Sequence, residues 1–133
     1  YESPVNRFVA EFLGDPPACL LPCNVRDGRV RILDAEYDID GGPDETAVWV
    51  GLRAEDVVPA GNGPCVSAVL DRIERRGYDA IAWFRAADRM IAARVDRNFR
   101  AASGTAFRPA FEMSRAFWFD AEGRRVSRQV GSA

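Results

Sequence analysis

After Pro16-Pro17 the hydrophobic period of this chain changes from helical to alternating, and turn signals then recur at close spacing to the far end. Asp27-Gly28 is flanked by Cys19-Leu20-Leu21 and by the apolar run 30–33, which predicts a hairpin. Residues 47–50 read as a short apolar strand, and residues 65–70 alternate with Val66, Ala68 and Leu70 on one face. Residues 78–85 and 89–95 predict two strands joined around Ala87-Asp88. Residues 107–111 contain Pro109, which cannot donate to a ladder and so belongs at a sheet edge. Residues 116–119 and 124–127 bracket the turn Asp120-Ala121-Glu122-Gly123. Residues 34–46 carry six acids and no base and read as a solvated loop ending in Gly41-Gly42-Pro43. Many short strands between turns predict an all-β, OB-like small barrel or sandwich. With 133 residues, no internal repeat and no long linker, one such domain accounts for the chain.

The exception is the first segment. Ser3 is a good N-cap, and Pro4 stands at the first helical position, where its missing N–H costs nothing. Val5, Phe8, Val9, Phe12 and Leu13 recur at helical spacing, and Gly14 with Pro16-Pro17 stops the run. A helix this short is marginal alone and needs a tertiary partner for its apolar stripe. The expected architecture is therefore all-β with one N-terminal helix.

Composition removes several chemistries. There is no His, the commonest general base and metal ligand. All 18 basic residues are Arg, so a phosphate loop, which requires Lys, is excluded. Ser and Cys have no imidazole to activate them, and no Gly-x-Ser-x-Gly elbow is present, so no catalytic residue is assigned. Cys19, Cys23 and Cys65 make neither a disulfide framework nor a zinc set and read as packed thiols. Glu36, Asp38, Asp40 and Gly41 imitate the start of a calcium loop, but the pattern begins on Glu and ends on Ala47, which cannot chelate; no metal site is assigned. Trp83-Phe84-Arg85 and Arg97-Asn98-Phe99-Arg100 interleave aromatics with Arg, as single-strand-binding barrels do. The net charge of −2 argues against that use, and aromatics in strands are more often core, so no nucleic acid is expected. The charge is also divided: residues 1–63 carry 12 acids and 5 Arg, residues 64–133 carry 8 acids and 13 Arg. Such asymmetry speaks to partners and orientation rather than to fold.

Four segments together carry a resemblance over nearly the whole chain. The stretch 1–14 is similar to the helix that leads out of the ATPase core in maltose/polyamine-type ABC importer ATPases. Gly51-Leu52-Arg53-Ala54-Glu55-Asp56-Val57 resembles the same family's Gly-[Ile/Val/Leu]-Arg-Pro-Glu motif, with Ala54 where Pro is usual. Gly77-Tyr78-Asp79 with the following strand resembles a Gly-x-Glu/Asp strand entry of its C-terminal TOBE domain, and Phe117–Gly123 resembles that domain's closing Phe-Asp-x-x-Gly turn. The resemblance implies that residues 1–14 join to an ATPase domain outside this sequence and that residues 15–133 form the TOBE domain. It implies structural roles for Gly51, Arg53, Glu55, Asp56 and Gly77. It further implies a parent protein that uses ATP and Mg²⁺ for solute import, with this piece regulatory or dimerising and not itself an enzyme. The expected partners are the parent's own ATPase domain, a second copy of the subunit and the transporter's membrane subunits. The expected place is cytoplasmic, on the inner face of the bacterial cell membrane. Binding of a small solute or an oxyanion by the Arg-rich second half is the alternative.

Overall fold

The structure, a computed structural model, describes residues 18–127. The predicted helix at 1–14 lies outside those residues. Among the described residues strands make up 51 % and no helix reaches seven residues, so the class is all-β, with antiparallel sheets curled into an OB-like half-barrel.

Four sheets share one core. The first has the order β1-β5-β12-β13, from β1 (Ala18–Pro22), β5 (Trp49–Arg53), β12 (Phe117–Phe119) and β13 (Arg125–Val126). The second is the sequential meander of β2 (Asn24–Arg26), β3 (Arg29–Ile32) and β4 (Ala35–Asp38). The third has the order β10-β7-β8-β9, from β7 (Ala68–Arg75), β8 (Ala80–Ala86), β9 (Arg89–Val95) and β10 (Ala106–Phe107). A two-stranded piece pairs β6 (Val57–Val58) with β11 (Ala110–Phe111). Leu21, Val50 and Trp118 from the first sheet, Ile32 and Tyr37 from the second, and Leu70, Phe84 and Ile91 from the third meet in one cluster, each nearly or wholly buried. Burying side chains of this kind contributes about 1.5–3 kcal/mol each, which these short strands need.

The turns explain why the chain reverses where it does. Asp27 and Gly28 both take positive φ, +53° and +73°, the conformation a two-residue hairpin turn requires. The hairpin they close joins β2 to β3, with Val25 opposite Val30. Its first strand is thus 24–26, not 19–21 as the sequence suggested. Residues 18–22 pair instead with β5, with Leu21 opposite Val50. The acidic run 34–46 is likewise not all loop. Residues 35–38 form β4, whose Ala35 and Tyr37 point to the core while Glu36 and Asp38 face water opposite Arg31 and Arg29. Residues 107–111 divide at Pro109: Ala106–Phe107 joins β7, and Ala110–Phe111 joins β6. A proline between two-residue strands ends one ladder and lets the chain turn to another.

In β7 the register slips between Leu70 and Arg72, a bulge at Asp71. Its carboxylate accepts from Arg72 and Arg85 at 3.1 Å each, and these bonds hold it below the ordinary carboxylate range.

Candidate functional site

Residues 51–57 turn a strand into a corner. Gly51 lies on the face of β5 opposite the core, beneath aromatic rings of β12. A Cβ there would stand 3.3 Å from Phe119 Cε2 and 3.6 Å from Phe117 Cβ, so a larger residue would displace a ring. The Arg53 guanidinium stacks over Phe117, 4.9 Å from the ring centroid. Arg53 itself is extended (φ −81°, ψ 148°), the conformation favoured before proline. Ala54 then opens a single 3-10 turn, Ala54–Asp56. Its methyl is fully buried against Ile81 and Ala92, with Trp83 packed alongside.

A second 3-10 turn, Met113–Arg115, meets the first. The Arg115 Nε donates to Asp56 Oδ1 at 2.8 Å, and an Arg115 Nη lies 3.8 Å from Glu55. The amide of Glu112 donates to the Asp56 carbonyl at 2.9 Å. The Asp56 side chain is only 7 % exposed, and its Oδ2 has no hydrogen-bond partner. Arg53, Glu55 and Asp56 are therefore brought to one corner, with Arg115 completing it. Arg115 was not visible as a member from sequence, because nothing local in Met113–Arg115 names its partner.

Gly77 belongs to a different turn, between β7 and β8. Its φ is +94° and no atom crowds it, so backbone conformation rather than space calls for glycine there. Around it Arg76 grips Asp79 with two bonds of 2.8 Å.

The remaining polar features are engaged with one another. Glu36 accepts from Arg29 and Arg31 at 2.9 and 3.1 Å, and Asp38 lies 3.6 Å from Arg29. Strand β4 thus lines these two carboxylates along a ladder rather than converging them on a cation. Asp44 caps its own loop, accepting from the Thr46 amide at 2.9 Å and from the Thr46 hydroxyl. A cleft of about 1020 Å³ lies beside that loop, edged by Asp27, Asp38, Asp40, Asp44 and Glu45. A smaller one of about 280 Å³ is edged by Arg26, Arg29 and Arg31 together with Glu36. Of the Arg–aromatic segments, Phe84 is fully buried and Phe99 packs against the core; Arg85 is held by Asp71. Phe84 and Phe99 thus help to build the interior, whereas Trp83 is half-buried, with the Arg72 guanidinium 4.9 Å from its ring centroid and its Nε1 donating to Glu74. Burial pushes the Cys19 and Cys23 thiols up to about 12, and all three cysteines are free. No helix among the described residues is long and apolar enough to cross a membrane.

No family model matches the chain. It is 31 % identical to an sn-glycerol-3-phosphate import ATP-binding protein of Burkholderia cenocepacia, over 95 % of this chain and 38 % of that protein. It is 30 % identical to a lactose transport ATP-binding protein of Rhizobium radiobacter, over 95 % of the chain and 39 % of the relative. An oligosaccharides import ATP-binding protein of Bacillus subtilis is 26 % identical, over 92 % of the chain and 38 % of the relative. The chain thus spans about two-fifths of the length of the curated relatives it matches. Nearly the whole of it is similar to one part of the ATP-binding proteins of ABC importers for sugars and glycerol phosphate.

Proposed function

We propose that this chain is the C-terminal TOBE domain of an ABC importer ATP-binding protein, and that it regulates and helps to dimerise that protein. The observation that carries the reading is the alignment of 95 % of this chain with only 38 % of ATP-binding import proteins. A piece of that size without Lys has no residues to form a phosphate loop, so ATP and Mg²⁺ belong to the remainder of such a protein. The all-β half-barrel and the divided charge suit a module that packs on other domains rather than one that performs chemistry. In this reading the corner made by Arg53, Glu55, Asp56 and Arg115 is a brace that fixes the angle between β5 and β6. Its partners are the parent's ATPase domain, a second copy of the subunit and the membrane subunits, at the cytoplasmic face of the membrane.

The test uses the full-length protein that carries this chain, with and without residues 18–127. Sedimentation, ATP hydrolysis and solute uptake are measured on both. Weakened dimerisation, or hydrolysis that no longer responds to transport conditions, is the expected result. Unchanged dimerisation, transport and regulation would sink the proposal.

A further inference from the structure

The end of β4 and the 3-10 turn Met113–Arg115 face each other across a cleft of about 400 Å³. Tyr37, Ile39, Phe111 and Trp118, all buried, make its floor. The exposed carboxylates of Asp38, Asp40 and Glu112 stand on its rim. Trp118 is only 2 % exposed, and its Nε1 has no hydrogen-bond partner among the described residues. A buried donor left unpaired is rare in a folded protein and calls for an explanation. The Tyr37 hydroxyl accepts from the Phe111 amide at 3.4 Å and so keeps its own proton to donate. The floor thus holds two donors, while the rim carboxylates only accept.

We infer that this cleft binds a neutral polyhydroxylated molecule of monosaccharide size. Donor and acceptor chemistry selects that class. An anion would meet three carboxylates. An ammonium would satisfy the carboxylates but has no lone pair for the indole N–H. A purely apolar ligand would leave both sets of groups unpaired. A hydroxyl donates and accepts at once. Adjacent hydroxyls on one carbon skeleton therefore take the indole and phenol protons on one side and give their own to the rim on the other. An apolar floor with a few converging polar groups, in a cleft of this volume, is the usual build of a small-molecule site. Nε1 itself is closed to solvent, so a lining side chain must yield to the ligand. Met113, half-buried at the edge of the cleft and unbranched, re-packs at low cost. Its 3-10 turn also carries Arg115, so an occupied cleft braces the Asp56 corner as well. The site goes beyond the role proposed above and stands whether or not that role is correct.

Indole N–H spectroscopy on the whole 133-residue chain tests it, since three Trp give three such resonances. Trp49→Phe and Trp83→Phe variants assign them. Glycerol and glucose are the probes, with glycerol phosphate and spermidine as charged controls. A saturable shift of the Trp118 resonance is expected with glucose, and a weaker one with glycerol, while both controls leave it in place. Asp40→Asn, on the exposed rim where the fold tolerates it, should weaken the apparent Kd for glucose about fivefold or more. A Trp118 N–H in contact with water alone and unmoved by either neutral probe would overturn the inference. So would tighter binding of a charged control, or an unchanged Kd in Asp40→Asn.

Discussion

Asp56 is the one charged side chain buried among the described residues, and its burial rests on a single guanidinium. Removing Arg115 would leave a buried carboxylate with neither oxygen bonded. Arg115→Ala should therefore destabilise the domain by about 1–3 kcal/mol, read as a fall in the urea midpoint. Arg115→Lys should restore part of the loss, because an ammonium replaces the charge but not the planar donor fork. An unchanged midpoint for Arg115→Ala would show that the corner is held by packing alone. The sequence pattern located Asp56 within its motif, since a short run around a turn is a local signal. It gave no hint of Arg115, because a salt bridge between distant turns leaves no spacing to read.

Among the elements, the β7–β8 connection is the most directly titratable. The Asp79 carboxyl is held below its ordinary range first by its hydrogen bonds to Arg76, with the charges of Arg76 and Arg94 adding to the effect. A group whose folded pKa is depressed contributes stability above its unfolded value, about 3.9 for Asp, and that contribution is lost as pH falls through the folded pKa. Carbon-detected titration should thus place the Asp79 midpoint below that of a free aspartate. Arg76→Gln should move it upward, and stability near pH 3 should fall less steeply in the variant. An unmoved midpoint would mean the bonds seen here do not persist in water. Turns such as this one were legible because Gly, Asp and Asn chemistry is local. Strand partners were not. Alternation tells which face of residues 18–22 is buried, but not that β5 rather than β3 lies beside it. Pro109 signalled an edge, yet only the assembled sheets show that it separates two edges.

At the scale of the whole molecule, the four sheets among the described residues contribute side chains to one shared core, so each is packed against the others. Unfolding should accordingly be a single transition. Cys19 and Cys23 report on it, since thiols raised to about 12 are protected both by burial and by scarcity of thiolate. Labelling of both by a thiol reagent at pH 8 should track the urea transition seen by tryptophan emission. Labelling well below that midpoint would reveal that edge strand β1 opens separately. The class of the fold was readable from turn spacing because many short strands leave few architectures. The half-barrel was not, because curvature depends on bulges such as Asp71 and on which edges meet.

The first and last described strands, β1 and β13, are the two margins of one sheet, and β13 runs antiparallel to β1. Ala18 and Ser127 therefore emerge at the same end of that sheet, about three strand spacings, or roughly 14 Å, apart. A short tether between Ala18 and Ser127 would close residues 18–127 into a ring, which a cut in the exposed Gly63 loop would reopen, without redrawing any ladder. Residues 18–127 thus leave and return through one doorway, the geometry by which a segment can be spliced into a surface turn of a larger protein.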